Sequence, residues 1–158
     1  MNPKSCHAKA LELLARRAHF RRELETKLRQ RGYGEEEIEE TLDRLTAAGY
    51  LDDSRTALEF VTGRLAREPL GPVRLRADLQ RRGAGEEAID AALAELPSDP
   101  EDQLATTRAA AQRWRRRGGR DLASLARHLQ RKGFPHRAIV AVLAESAPGE
   151  EPPDLDEV

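Results

Sequence analysis

One segment of this chain occurs three times, and the repeat restricts the possible folds more than any other feature. Residues 73–96, VRLRADLQRRGAGEEAIDAALAEL, match residues 22–45 at ten of twenty-four positions and residues 123–146 at eleven. Leu24, Leu28, Gly32, Ile38 and Leu42 fall in register with Leu75, Leu79, Gly83, Ile89 and Leu93, and again with Leu125, Leu129, Gly133, Ile139 and Leu143. A period of fifty or fifty-one residues belongs to an array of supersecondary units, each too small to bury its apolar face alone.

The recurring positions explain one another physically. Leucines four apart stack on one face of a helix, and Arg31, Arg82 or Lys132 places a cation in its last turn, where the dipole is negative. Gly32, Gly83 and Gly133 follow at the position where a helix ends in a left-handed residue. Gly34, Gly85 and Pro135 then open a second helix whose Ile and Leu lie four apart. Each repeat thus contains a tight helix-turn-helix.

A third helix per repeat comes from the intervening segments. Ser5 is a cap for a helix reaching about His19 with Leu11, Leu14, Ala15 and Ala18 on its apolar face. The link Gly49-Tyr50-Leu51-Asp52-Asp53 reads as a helix end, two residues tucked into the core and a cap for the next helix by Asp52 or Asp53. That helix carries Ala57, Phe60, Val61 and Leu65 and stops before Pro69-Leu70-Gly71-Pro72. Ser98 with Glu101 forms a capping box for a helix bearing Leu104, Thr107, Ala111 and Trp114, and Asp121 caps the one after Gly118-Gly119. A final helix spans about Pro135 to Ala144. With 39% hydrophobic and 35% charged residues and six aromatics, the chain suits narrow buried stripes rather than one large core. The expectation is an all-α fold: three tandem three-helix repeats at 5–48, 49–96 and 97–146, forming an elongated, curved array, followed by an acidic, proline-containing disordered tail at 147–158.

Cys6 has no partner for a disulfide, the first ten residues lack a signal-peptide core, and the longest apolar run, Ala138 to Ala144, is far short of a membrane span. The chain is expected to be cytoplasmic, with no membrane association.

The net charge of −1 conceals segregation. Residues 98–144 hold ten bases against four acids, while residues 145–158 hold six acids and no base. Arg113, Arg115, Arg116, Arg117, Arg120, Arg127, Arg131, Lys132 and Arg137 form a basic stretch that suits phosphates or an acidic protein surface. Trp114, among these arginines, reads first as core packing and second as a stacking platform for an unpaired base. His136 and Arg137 stand where the other repeats have glutamates, against the helix dipole.

Nothing in the sequence carries chemistry of its own. Gly83-Ala84-Gly85-Glu86-Glu87-Ala88 matches a dinucleotide fingerprint in letters but follows a helix instead of a strand. Glu35, Glu36, Glu37, Glu39 and Glu40 point around a helix axis and suit its N-terminus better than a cation. His7, His19, His128 and His136 show no ligand spacing. No catalytic residue, metal site or cofactor is expected.

The link at 49–53, then Ala57, Phe60-Val61, Gly71-Pro72 and Leu75-Arg76-Ala77-Asp78-Leu79-Gln80-Arg81-Arg82-Gly83, resembles the central signature of the RecX regulatory proteins. Ala10-Leu11-Glu12-Leu13-Leu14-Ala15-Arg16-Arg17, the stretch from Leu24 to Gly32, and Leu129-Gln130-Arg131-Lys132-Gly133-Phe134 extend the likeness over about residues 8–145. His19-Phe20 stands where the family often has a small hydroxyl residue, and Ala84 where it has a larger apolar one. The resemblance implies three tandem three-helix repeats with Gly32, Gly83, Gly133, Tyr50, Asp52 and Asp53 as structural motif. It also implies a protein without enzymatic activity that binds RecA recombinase filaments on DNA; a monomer is expected. Such a protein inhibits filament extension, ATP hydrolysis, strand exchange and coprotease action, and touches single- and double-stranded DNA weakly and without sequence preference.

A helix-turn-helix DNA-binding protein without a RecA partner is the alternative, since basic helices also suit a major groove. Tandem units of which one is strongly basic favour the filament modulator.

Overall fold

The computed structural model describes residues 4–149 together with Pro153 and Leu155. Among the described residues there are nine helices and no strand: α1 (Cys6–Arg16), α2 (Arg21–Arg29), α3 (Glu35–Ala47), α4 (Asp53–Leu65), α5 (Pro72–Arg81), α6 (Glu86–Ala94), α7 (Pro100–Arg116), α8 (Leu122–Arg131) and α9 (His136–Ser146). The chain divides into two compact units, Met1–Phe60 with Leu79–Ala92, and Val61–Asp78 with Leu93–Val158. The division passes through α4 and α5, so the segment 49–96 contributes to both units.

In the first unit Leu24 and Leu28 of α2 and Ile38, Leu42 and Leu45 of α3 pack with Cys6, Ala10 and Leu13 of α1. The periodic leucines and isoleucine are therefore core. The apolar face of α1 is rotated from its expected place: Leu11 and Leu14 are at its margin, while Ala15 and Ala18 are exposed. Ser5 caps the helix by accepting from the Ala8 amide at 3.2 Å, but α1 stops at Arg16, because the chain becomes extended at Arg17 and turns His19 and Phe20 into the interior.

The 49–53 link departs from expectation at Tyr50. Gly49 adopts φ +76°, and the amides of Tyr50 and Leu51 both donate to the Leu45 carbonyl, at 2.9 and 3.2 Å. Leu51 is then buried, but Tyr50 is 63% exposed. The turn at Gly49, tied back to the Leu45 carbonyl, thus brings only one of the pair into the core. The two aspartates divide the capping. Asp52 accepts from the Arg55 amide of α4 at 3.0 Å, whereas Asp53 accepts from the Arg21 amide at the start of α2, at 2.8 Å. Glu37 likewise reaches the Cys6 amide at 3.1 Å, so an acid at the start of α3 serves α1.

His19 is 3% exposed and held from both ring nitrogens. Nε2 lies 3.1 Å from Lys27 Nζ, which can only donate, so Nδ1 carries the proton and donates to the Arg17 carbonyl at 2.9 Å. Burial lowers the pKa of this imidazole, outweighing the Arg17 carbonyl and Glu23. Burial alone would raise Glu23, but hydrogen bonds from Arg17 and Lys27 bring it down to about 2. The unfolded chain takes up a proton near the ordinary histidine value while the folded chain resists it, so stability falls as pH drops below about 6.5. The Glu23 contribution is present above about 4.5 and lost as pH falls toward 2, in the same direction. The melting temperature should decline between pH 7.5 and 5.5, and His19→Gln should flatten that decline to the part contributed by His128, whose pKa burial also lowers. An unchanged slope in scanning calorimetry would remove His19 as the cause.

In the second unit, Ala110 and Ala111 of α7, Leu125, Ala126 and Leu129 of α8 and Ile139, Val142 and Leu143 of α9 form one core with Phe134 and Leu155. Pro100 opens α7, which moves the cap from Ser98 to Asp99, whose carboxylate accepts from the Glu101 amide at 2.7 Å. Asp121 caps α8 through the Ser124 amide at 2.8 Å, as expected. Within the segment expected as a disordered tail, Leu155 is 7% exposed, and its carbonyl accepts from Gln130 Nε2 at 2.7 Å. An isolated leucine among acids is apolar enough to be drawn onto a neighbouring core. Apart from Pro153 and Leu155, the expected tail beyond Gly149 lies outside the described residues.

The three turn glycines share a backbone and differ in surroundings. Gly32, Gly83 and Gly133 have φ of +83°, +88° and +78°. A Cβ on Gly32 would meet nothing within 4 Å, and one on Gly83 would lie 3.5 Å from the Glu23 amide nitrogen. One on Gly133 would overlap the Arg74 amide at the start of α5. Gly71 forms the other side of that contact. Its amide donates to the Lys132 carbonyl at 2.8 Å and that of Val73 to the Gly133 carbonyl at 3.2 Å, so the end of α8 satisfies the beginning of α5.

Candidate partner interface

The basic stretch lies in the second unit, where the structure sorts its members into two kinds. Arg113 and Lys132 are engaged internally. Arg113 Nη1 donates to the Arg67 carbonyl at 2.7 Å, and Lys132 pairs with Glu68. The lysine contact holds the Glu68 carboxyl below its ordinary range. Arg108 is also bound, its Nε 2.8 Å from Glu145 across α7 and α9.

Arg115, Arg116, Arg117, Arg120 and Arg131 are exposed, with no acidic partner among the described residues. Arg127 and Arg137 are exposed and donate to neutral groups, Ser124 Oγ and Gln103 Oε1, each at 3.1 Å. Three of the exposed guanidinia, Arg115, Arg116 and Arg117, follow one another at the end of α7, where Arg117 is the C-cap and Gly118 turns the chain at φ +97°. Cations complement the negative end of that helix, so the local fold tolerates them without salt bridges.

Trp114 is half-buried against the α7–α9 core, tilted over His128 with ring centroids 6.1 Å apart. A Cβ on Gly119 would overlap its six-membered ring, so backbone packs on the indole. Trp114 with Arg113, Arg117, His128 and Lys132 lines a recess of about 130 Å³, too small for a nucleobase beside the Glu68 carboxylate it also contains. Burial, then Lys132 and Arg131, lowers the His128 pKa.

Sequence reasoning missed the acids that order this region. Asp78, 5% exposed, accepts from Arg64 at 3.0 Å and from Arg74 at 3.1 Å. Arg74 lies four residues before Asp78 and Arg64 four before Glu68, a helical spacing that signals local pairing; the Glu68–Lys132 contact spans sixty-four residues and leaves no such signal. Among the described residues there is no cluster of three or more potential metal ligands, and no helix is long and apolar enough to cross a membrane.

Residues 6–45 match the family profile described as RecX, first three-helix domain, and residues 52–93 the one described as RecX, second three-helix domain. The chain is 42% identical over 142 residues to Regulatory protein RecX of Pseudomonas fluorescens strain SBW25, covering 85% of this chain and 87% of that one. The chain belongs to the RecX family. Regulatory protein RecX of Geobacillus kaustophilus is 34% identical over 145 residues, which cover 90% of this chain and 54% of that protein. The crystal structure of RecX from Lactobacillus salivarius superposes with a TM-score of 0.76 at 22% identity, over 89% of this chain and 94% of that one, a likeness of fold. A second RecX crystal structure gives 0.72 at 24% identity, over 87% and 69%. RecX proteins are regulators by name, and the family is not one of enzymes.

Proposed function

We propose that this RecX chain modulates RecA recombinase, binding RecA filaments on DNA and inhibiting their extension, ATP hydrolysis, strand exchange and coprotease action. The observation that carries this reading is the exposed run Arg115, Arg116 and Arg117 at the end of α7, with exposed Arg120 just beyond Gly118-Gly119, in a chain of a regulatory family. Segments 5–48, 49–96 and 97–146 act as three tandem three-helix repeats in an elongated, curved array. The last supplies the basic surface, and Gly32, Gly83, Gly133, Asp52 and Asp53 serve as structural elements. The protein works in the cytoplasm as a monomer and contacts single- and double-stranded DNA weakly and without sequence preference.

A ligand biases a filament toward whichever state it binds better, so regulation needs no active site in the regulator. Co-sedimentation with RecA filaments against matched naked DNA tests the reading. The protein should pellet with filaments at salt concentrations that abolish its retention on naked DNA, because phosphate contacts alone weaken steeply with salt. Equimolar protein should also lower DNA-dependent ATP hydrolysis by RecA. Unaffected RecA activity together with selective binding of one duplex sequence would replace this reading with the helix-turn-helix alternative.

A further inference from the structure

We infer that a groove along α7 in the second unit binds an acidic peptide segment bearing apolar side chains, supplied by a partner protein. The groove has a volume of about 710 Å³, within the usual ~300–1,000 Å³ of ligand-binding clefts. Leu65, Pro69, Leu70, Leu96, Pro97 and Ala109 supply apolar lining. Prolines fix φ, and Pro72 begins α5 directly after the buried Gly71, so this wall is formed before anything binds. Opposite it, α7 presents the short side chains of Thr106 and Ala109, which leave the trough open.

Charge and length specify the occupant. Arg67, Arg113 and Arg116 line the groove, with Arg113 anchored on the Arg67 carbonyl at 2.7 Å. Arg67 and Arg116 are exposed and have no acidic partner among the described residues. Glu68 is the single carboxylate in the lining and is occupied by Lys132 and, at 3.7 Å, by Arg64. An anionic occupant therefore meets cations. Gln112 offers an exposed amide, and it lies nine residues along α7 from Gln103, whose own amide is taken by Arg137 and the Ser98 carbonyl, so the lining runs over a rise of about 13 Å, or roughly four residues of extended peptide. Nucleic acid fits less well. Phe134 is the sole aromatic in the lining and is 6% exposed in the core, so the groove offers no open ring for a base to stack on.

This inference goes beyond the proposed role and does not depend on RecA. Its test uses the full chain and fluorescence anisotropy with a labelled synthetic peptide of about a dozen residues alternating Asp or Glu with Leu. Two control peptides replace the acids by Lys or the leucines by Ser. The acidic, apolar peptide should bind saturably, with both controls at least tenfold weaker. Arg67→Glu at the rim and Ala109→Trp in the trough should each weaken binding at least tenfold without loss of helicity. Should the indole disturb α7, Arg67→Glu tests the same site from an exposed position. Equal binding of the Ser control, or binding indifferent to both substitutions, would overturn the inference. So would a single-stranded oligonucleotide whose binding is abolished by Ala109→Trp, which would make the groove a nucleic-acid site.

Discussion

Alanine at Gly133 should destabilise the second unit by about 4 kcal/mol and at Gly71 by about 3 kcal/mol, whereas alanine at Gly32 should cost about 1 kcal/mol. All three turn glycines are left-handed, and that conformation alone costs a residue with a Cβ about 1–2 kcal/mol. At Gly32 nothing is added, because the new methyl group would meet nothing within 4 Å. At Gly83 the Glu23 amide nitrogen lies at an ordinary contact distance of 3.5 Å, so its cost should lie near that of Gly32. At Gly133 and Gly71 the obstacle is backbone on both sides, which no side-chain rotation relieves. Separation would also break the bonds from the Gly71 and Val73 amides to Lys132 and Gly133, each worth about 1 kcal/mol net. Gly71 isolates the packing effect, since its φ is not in the left-handed region. Urea unfolding of the four alanine variants checks the ranking, and equal losses at Gly32, Gly83 and Gly133 would show that the close approach contributes nothing.

Reversing Arg115, Arg116 and Arg117 to Glu should weaken binding to RecA filaments or DNA by roughly a hundredfold at low salt. It should also lower the salt slope on naked DNA by about three, one for each lost phosphate contact. Helicity should be largely retained, because none of the three makes an ion pair among the described residues and all are exposed. Reversal of Arg113 would confuse the result, since its guanidinium caps the Arg67 carbonyl and its loss would disturb α4 and α7 together. Unchanged binding by the triple variant would reduce these arginines to a solvated helix end.

Much of the helical layout was legible because its signals are local. Leu24, Leu28, Ile38 and Leu42 announce their faces by spacing, and the core contains all four. Gly32, Gly83 and Gly133 announce their turns because few other residues accept positive φ. Where two local signals competed, the reading failed. Ser98 and Asp99 are both good caps, and Pro100 at the first helical position decided for Asp99. Tyr50 and Leu51 are both apolar enough for a core, and the Gly49 turn left room for Leu51 alone.

The basic stretch was legible as charge and illegible as a surface. Arg113 and Arg116 are the same letter three residues apart and both exposed, yet one is bonded to a carbonyl forty-six residues earlier in the chain and the other has no acidic partner among the described residues. From the sequence alone came the helical class, the turn glycines, most caps and the concentration of positive charge on 98–144, since all of these depend on residues within a few positions of one another. Only the tertiary structure decided that Asp53 caps α2, that Lys132 is taken by Glu68, that Leu155 enters a core and that Gly71 meets Gly133. Each of those contacts joins groups at least twenty-five residues apart, where chain connectivity carries no information about distance and packing alone selects the partner.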